Sequence, residues 1–233
     1  MLDDYKMVTV RDTYVRGVLL SEKNSRPKVK SIQIPYVLKN TIHLSSISKK
    51  DLHLRLNQEE HSVIEIVPNQ ILTNKVKTKL PCKDGYFVPN SEVCKIIVAE
   101  RHKVTGKLGV GALIGMPIEG AIASTVAHDS HNLIAVGSND EDILLAIEEL
   151  KRVQGGYTLV KNEDVLETMP LSVCGIVTDI NADDIVHQME HLMVYAERME
   201  LPKDFNPFIT LSFLSLTVIP AFRITARGLV DVN

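Results

Sequence analysis

Short apolar segments with the two-residue period of a β-strand are the feature that most constrains the fold of this chain. Residues 32–34 and 52–56 alternate strictly between apolar and polar side chains, and residues 63–67 nearly do, so each segment is predicted to be a half-buried strand. Residues 7–20 are predicted to form a hairpin that turns at Gly17. Further strands are predicted at residues 93–99, 121–127, 133–137 and 157–160. A chain with so many strands has to bury them in β-sheets.

Two longer segments have instead the 3.6-residue period of an amphipathic helix. One covers residues 139–154, with Ser138 and Glu141 as a capping box at its start and Gly155 after its end. The other covers residues 182–199, before Pro202. Because the first helix lies between two predicted strands, it indicates a βαβ unit. Residues 208–219 are compatible with either a helix or a strand. The predicted fold class is α+β, a mixed α/β arrangement of mixed β-sheets with packed helices.

Composition restricts the class of protein. At 233 residues, of which 45% are hydrophobic, the chain can bury a substantial core. Its formal net charge of −3 and its dispersed basic residues argue against a nucleic-acid partner, and the basic segment at residues 21–30 is predicted to be an exposed loop. The apolar runs are too short for a signal peptide or a membrane span. Cys82, Cys94 and Cys174 have no Cys-x-x-Cys spacing, which is typical of reduced thiols in a cytoplasmic protein.

The densest polar cluster interrupts two apolar runs and consists of His128, Asp129, Ser130, His131 and Asn132. Polar groups at such a place must be paired or used. Two imidazoles and one carboxylate, from His128, Asp129 and His131, could bind a divalent metal, or the cluster could bind the polar edge of a substrate. A polar turn that caps backbone groups and holds a domain contact explains the pattern equally well. A Ser-His-Asp hydrolase is disfavoured, because adjacent residues of an extended chain point to opposite faces.

A second polar cluster, Glu100, Arg101 and His102, follows directly on a predicted buried strand. The carboxyl end of a strand is a frequent ligand site in sheet proteins. The alternative is a surface salt-bridge cluster with a solvated histidine. Elsewhere the segment Asn-Asp-Glu-Asp at residues 139–142 is interpreted as helix capping, and His187 and His191 as exposed helix residues.

Several of these segments together resemble the C-terminal domain of the adenine deaminases, members of the amidohydrolase superfamily. The resemblance is carried by Gly-Ala-Ile-Ala-Ser-Thr-Val-Ala-His-Asp-Ser-His-Asn at residues 120–132, by Val-Gly-Ser-Asn-Asp-Glu-Asp at 136–142 and by Glu-Arg-His at 100–102. It continues at residues 155–156, 211–216, 218–220 and 228–232. The resemblance implies that residues 1–40 end the small β-sandwich of an amidohydrolase and that residues 41–233 form the C-terminal domain.

The family's activity is implied in the same way. Adenine deaminases convert adenine and water to hypoxanthine and ammonia, using a divalent metal (manganese, iron or zinc) held in a TIM barrel that carries a His-x-His pair. This chain has no His-x-His and no room for eight βα units. Whether it is an enzyme by itself therefore stays open.

The resemblance also implies partners and roles for the two clusters. It predicts that the chain shapes or closes the active site of a barrel-bearing partner. It also predicts that the protein forms homo-oligomers. His128, Asp129 and His131 would face the barrel mouth or a further metal, supported by Glu100, Arg101 and His102. The alternative hypothesis is a non-catalytic module that binds a metal or a purine, or serves assembly.

Overall fold

The computed structural model describes residues 1–20, 32–201 and 206–232. The chain divides into two compact units, Met1–Gln33 and Ile34–Asn233. In the first unit β1 (Leu2–Asp4) pairs with β2 (Thr9–Val10), and β3 (Tyr14–Val15) pairs with β4 (Val18–Leu19). Gly17 adopts a positive φ of 75° in the second hairpin, which confirms the predicted turn. The predicted loop at residues 21–30 lies outside the described residues, and the assignment of residues 1–40 to a β-sandwich stays a prediction.

The second unit is built on an eight-stranded mixed sheet with the order β14-β13-β11-β12-β9-β10-β5-β6. Only the β5–β10 pair in this sheet is parallel. The sheet strands are β5 (His61–Ile66), β6 (Thr73–Thr78), β9 (Cys94–Ala99), β10 (Leu108–Ile114), β11 (Ala121–Ser124), β12 (Leu133–Gly137), β13 (Gly156–Lys161) and β14 (Asp164–Pro170). The two-stranded pairs are β7 (Cys82–Lys83) with β8 (Tyr86–Phe87) and β15 (Phe222–Thr225) with β16 (Gly228–Asp231).

Helices cover both faces of this sheet. The helices are α1 (Asp140–Val153), α2 (Ala182–Arg198) and α3 (Pro207–Phe213). Side chains of α1 form one core with alternate residues of the central strands, including Ile97, Ala123 and Ala135. Side chains of α2 and α3 form a second core with the intervening residues, including Ile96 and Ile122. The central strands are therefore buried on both sides, and the predicted α+β class is confirmed.

Helix α1 confirms the predicted helix, but its N-cap lies one residue later than predicted. Its N-cap is Asn139, whose side chain accepts a hydrogen bond from the Asp142 amide. The predicted cap, Ser138, bonds Gly120 instead, because its hydroxyl accepts from the Gly120 amide at 2.9 Å. The helix ends at Gln154, which takes the left-handed conformation before Gly155. The predicted βαβ unit exists in a split form, since β11 lies between β12 and β13.

Two predicted strands are wrong. Residues 32–34 form no strand, and Ile32 is 81% exposed. Residues 52–56 form no strand either, because Leu52 ends a 3₁₀ turn (Lys49–Leu52) that Asp51 caps by accepting from the Ser48 amide. Beyond this turn the backbone bonds the β7–β8 hairpin over a short stretch: the Phe87 amide donates to the Leu54 carbonyl at 2.9 Å, and the Leu56 amide donates to the Gly85 carbonyl at 2.9 Å. Arg55 forms a single bridge to Tyr86 between these bonds, so the pairing is too short to make a strand of the segment.

The C-terminal part of the chain can also be compared with its predicted elements. Helix α2 confirms the second predicted helix and ends at Arg198, one residue before the predicted end, while Pro202 lies outside the described residues. The ambiguous run at 208–219 is helical as far as Phe213 and then continues in turns. No helix in the described ranges has the length and apolar character needed to cross a membrane.

Candidate functional site

Both polar clusters predicted from the sequence lie at one end of the sheet strands, where β9 and β11 end and β12 and β13 begin. Ala99 of β9 pairs with Leu133 of β12 there, and Ser124 of β11 pairs with Tyr157 of β13. The cluster of Glu100, Arg101 and His102 therefore follows β9. The other cluster, the 128–132 loop, connects β11 to β12 beside it. We call this region the loop end of the sheet.

Arg101 is the buried centre of the loop end. Arg101 is only 1% exposed, and its guanidinium donates hydrogen bonds to three backbone carbonyls. The acceptors are the oxygens of His131, of Thr41 at 3.2 Å and of Cys174 at 3.1 Å. Burial lowers the pKa of Arg101 to about 10, so it still carries its charge at neutral pH. None of the described carboxylates pairs with it.

Glu100 and His102 lie closer to solvent and hold turns. The Glu100 carboxylate accepts from the amides of His102 at 2.7 Å, Lys103 at 2.9 Å and Thr105 at 3.1 Å. Burial acts to raise the pKa of Glu100, but these hydrogen bonds outweigh it and lower the pKa to about 2. The His102 ring is 2.9 Å from the Ser130 carbonyl oxygen. The surface salt-bridge interpretation is therefore wrong, because these side chains bond backbone groups rather than one another.

The 128–132 loop is fastened to the segment that contains α3. The His128 amide donates to the Ser212 carbonyl at 2.8 Å, and the Ser215 hydroxyl donates to the His128 carbonyl at 3.2 Å. The His128 ring packs on the Phe213 ring, with centroids 5.0 Å apart. Asp129 and Ser130, by contrast, are exposed at the tip of the loop. The loop thus has an anchored base and a free polar tip.

Unpartnered polar atoms concentrate around Arg101. Across the described ranges, four buried side-chain polar atoms have no hydrogen-bond partner: Thr41 Oγ1, His131 Nδ1, Asn132 Oδ1 and Gln188 Oε1. Three of these four belong to the loop or to a segment that Arg101 holds. Burial, together with the positive charge of Arg101, lowers the pKa of His131. The imidazole is therefore neutral at pH 7 and has an unused ring nitrogen.

The loop residues do not fit a metal ion in this arrangement. The described part of the chain contains no group of three or more His, Cys, Asp or Glu side chains that could hold one. The rings of His128 and His131 meet edge to face at 6.1 Å, and His128 is packed on an aromatic ring. A neighbouring buried guanidinium further disfavours a cation. No chemical step through a metal is assigned to these residues.

Comparison with known proteins identifies the family. Residues 70–233 match the adenine deaminase C-terminal domain. The chain belongs to this family. Among its relatives, the adenine deaminase of Desulfitobacterium hafniense (strain Y51) is 41% identical over 232 residues, which are 99% of this chain and 40% of that protein. The adenine deaminase of Halalkalibacterium halodurans is 39% identical over 239 residues, covering 100% of this chain and 41% of that protein.

A further relative shows the same proportions. Adenine deaminase 2 of Carboxydothermus hydrogenoformans is 37% identical over 237 residues, covering 100% of this chain and 41% of that protein. The chain therefore spans about 40% of the length of the curated relatives that it matches. It corresponds to the C-terminal part of an adenine deaminase, as the resemblance implied.

Within this adenine deaminase C-terminal domain, several contributors to the loop end were missed by the sequence reasoning. The Thr125 hydroxyl donates to the Gly175 carbonyl at 2.6 Å and accepts from the Gly156 amide at 2.8 Å. Thr41 and Cys174 supply the carbonyls that Arg101 binds. Of these, Thr125 and Gly156 had a signal, because both lie in segments that carry the family resemblance. His187 and His191 are exposed on α2, as predicted.

Two cavities of the domain lie away from the 128–132 loop. One, of ≈ 340 Å³, is lined by α3, by residues 66–73 and by Arg223. The other, of ≈ 570 Å³, lies beside the N-terminus of α1 and Tyr86. Neither has a residue of the loop in its wall. Within the loop, Asp129 and Ser130 are exposed, whereas His128, His131 and Asn132 are partly buried.

Proposed function

We propose that this chain works with a metal-bearing catalytic domain as an adenine deaminase, converting adenine and water to hypoxanthine and ammonia. The chain's part is to shape or close the adenine site with the 128–132 loop. The relatives named adenine deaminase support this function. We expect the metal, manganese, iron or zinc, to reside in the catalytic domain and to activate the water there. We also expect a cytoplasmic location and homo-oligomers.

The observation that carries the proposal is the group of unpartnered polar atoms at Thr41, His131 and Asn132. A buried polar atom without a partner destabilises a protein by about 1–3 kcal/mol. Three such atoms beside one exposed polar loop indicate a region whose hydrogen bonds are completed by another molecule. A docked catalytic domain with its substrate supplies both a surface and polar edges for them.

The chemistry available to the loop is recognition and exclusion of water. The neutral ring of His131 and the amide of Asn132 can exchange hydrogen bonds with a polar edge such as that of adenine. The exposed Asp129 and Ser130 meet the partner surface first. Because the loop base is fastened to α3, closure would present these groups in a defined geometry and keep bulk water out.

Reconstitution tests the proposal. The chain is co-expressed with a catalytic domain from a relative, and ammonia release from adenine is measured on the purified complex. Asn132→Ala and His131→Ala should lower kcat/KM about tenfold or more, because each removes one hydrogen-bonding group. His187→Ala is the matched control, since it removes an exposed histidine of α2.

Two outcomes would overturn the proposal. The first is a chain that forms no complex with any catalytic domain. The second is a complex in which both loop variants are as active as the His187→Ala control. Calorimetry of the chain alone with adenine and with Mn²⁺ addresses the alternative function, because tight binding of either would favour an independent binding module.

A further inference from the structure

We propose that Arg101 is the positioning residue of the 128–132 loop: its buried guanidinium sets the path of the loop by holding carbonyls from three separate segments. This inference deepens the proposed function, because it rests on the loop being the functional surface. Its test uses the conformation of the loop in the chain alone, so the two proposals fail separately.

The three acceptors lie in three segments that are far apart along the chain. Thr41 lies ahead of the large sheet, His131 lies in the loop, and Cys174 follows β14. Hydrogen bonds from a charged donor are stronger than neutral ones, and more so in a buried site. With no carboxylate beside it among the described residues, the guanidinium relies on these carbonyls in place of water. The loop carbonyl is therefore one of three acceptors that together replace water around the charge.

The backbone next to Cys174 packs so closely on the Arg101 guanidinium that a side chain at position 175 has no room. Gly175 has a positive φ of 70°, and a Cβ there would lie 3.0 Å from Arg101 Nη1 and 2.9 Å from Ile42 Cδ1. The Gly175 carbonyl is fixed by the Thr125 hydroxyl at 2.6 Å. A side chain at position 175 would push the guanidinium away from its acceptors. Position 175 therefore offers a second way to perturb Arg101 without removing it.

A second buried arginine provides a matched control. Arg223 is 0% exposed and also donates only to carbonyls, those of Ile219, Phe213, Ile71 and Pro220. None of these acceptors belongs to the 128–132 loop. Arg223→Ala should therefore reproduce the general loss of a buried, carbonyl-bound arginine. Any loss of protection in Arg101→Ala that exceeds the loss in Arg223→Ala is then specific to the loop.

The experiment compares hydrogen exchange of backbone amides by NMR in the full chain. The reporters are the amides of His131, which donates to Ala127 at 2.6 Å, and of Asn132, which donates to the Ser130 hydroxyl oxygen at 3.4 Å. After correction for global stability, Arg101→Ala should speed exchange at these amides about tenfold or more relative to Arg223→Ala. Guanidinium ion, added below the concentration that destabilises the wild type, should restore protection in Arg101→Ala by filling the vacated site.

The results that overturn the proposal are equal exchange at the two loop amides in Arg101→Ala and Arg223→Ala, or no restoration by guanidinium ion. If Arg101→Ala does not fold, Gly175→Ala replaces it, with the same loop-specific increase expected. Arg101→Lys should give an intermediate increase, because an ammonium keeps the charge but cannot span three acceptors. If the loop loosens as expected while deamination in the reconstituted complex is unchanged, the proposed function fails and the positioning role of Arg101 stands.

Discussion

Replacing Lys95 with methionine should destabilise the domain strongly, because it breaks an ion pair buried at the centre of the sheet. Lys95 lies in β9 and is 1% exposed. Its Nζ is 2.5 Å from Asp140 Oδ1 at the start of α1 and 5.9 Å from the centroid of the Phe87 ring. Removal of the ammonium leaves the Asp140 carboxylate, whose side chain is 12% exposed, without its partner.

The magnitude follows from this geometry. Breaking a buried pair from one side destabilises by about 3–5 kcal/mol. The N-terminus of α1 offsets about 0.3–1 kcal/mol by stabilising the remaining carboxylate, and methionine preserves the apolar packing of the lysine stem. The expected loss in the free energy of unfolding for Lys95→Met is therefore about 3 kcal/mol. Lys95→Met combined with Asp140→Asn removes both charges and should recover most of that loss.

Urea unfolding followed by far-UV circular dichroism at pH 7 measures these differences. The control is Lys49→Met, because Lys49 pairs with Glu141 at the same helix end while both side chains are about half exposed, at 56% and 46%. That pair should contribute only about 0–1 kcal/mol. The reasoning is refuted if Lys95→Met loses no more than Lys49→Met, or if the double variant is no more stable than the single one.

Three further predictions concern a cap, a carboxylate and a close backbone approach. Asn139→Ala should lower the free energy of unfolding by about 1 kcal/mol through loss of the α1 cap, whereas Asn139→Asp should keep it; equal losses in urea unfolding would contradict this. Because hydrogen bonds lower the pKa of Glu100 to about 2, its stabilisation is present above the unfolded pKa of about 4.3 and is lost as pH falls towards the folded value. Thermal unfolding between these pH values should depend less on pH in Glu100→Gln, and unchanged dependence would count against the assignment. In Gly109→Ala the new Cβ would overlap the Thr225 carbonyl oxygen, so urea unfolding should show a loss of about 1–3 kcal/mol. A wild-type midpoint for that variant would exclude the close approach.

The central fold could be predicted because its sequence signals are local. Strands β9, β11 and β12 are buried on both faces, so they appear as continuous apolar runs. Helices α1 and α2 have one apolar stripe each, which the 3.6-residue period reveals. The segment at 52–56 misled the prediction because Leu54 and Leu56 pack on a small side core while their backbone pairs with Tyr86 and its neighbours over a single bridge only. A pattern of side chains reports burial, and it does not report how far the backbone pairing extends.

The site was predictable to the same extent. Polar residues inside apolar runs marked the 128–132 loop and residues 100–102, and the strand order places them together. Their interactions were not predictable, since Ser212 and Ser215 reach the loop from a distant part of the chain. The prediction of a metal held by His128, Asp129 and His131 could likewise not anticipate that these side chains form no ligand group.

The sequence by itself determined the family, five of the eight strands of the large sheet (β5, β9, β11, β12 and β13), the two longer helices and the two clusters of polar residues. The tertiary structure alone decided that Arg101 is buried among carbonyls and that polar atoms around it lack partners. The physical reason is that its three acceptors lie 30, 60 and 73 residues away along the chain. Such contacts depend on the order in which strands pair, and no local pattern of residue types carries that order.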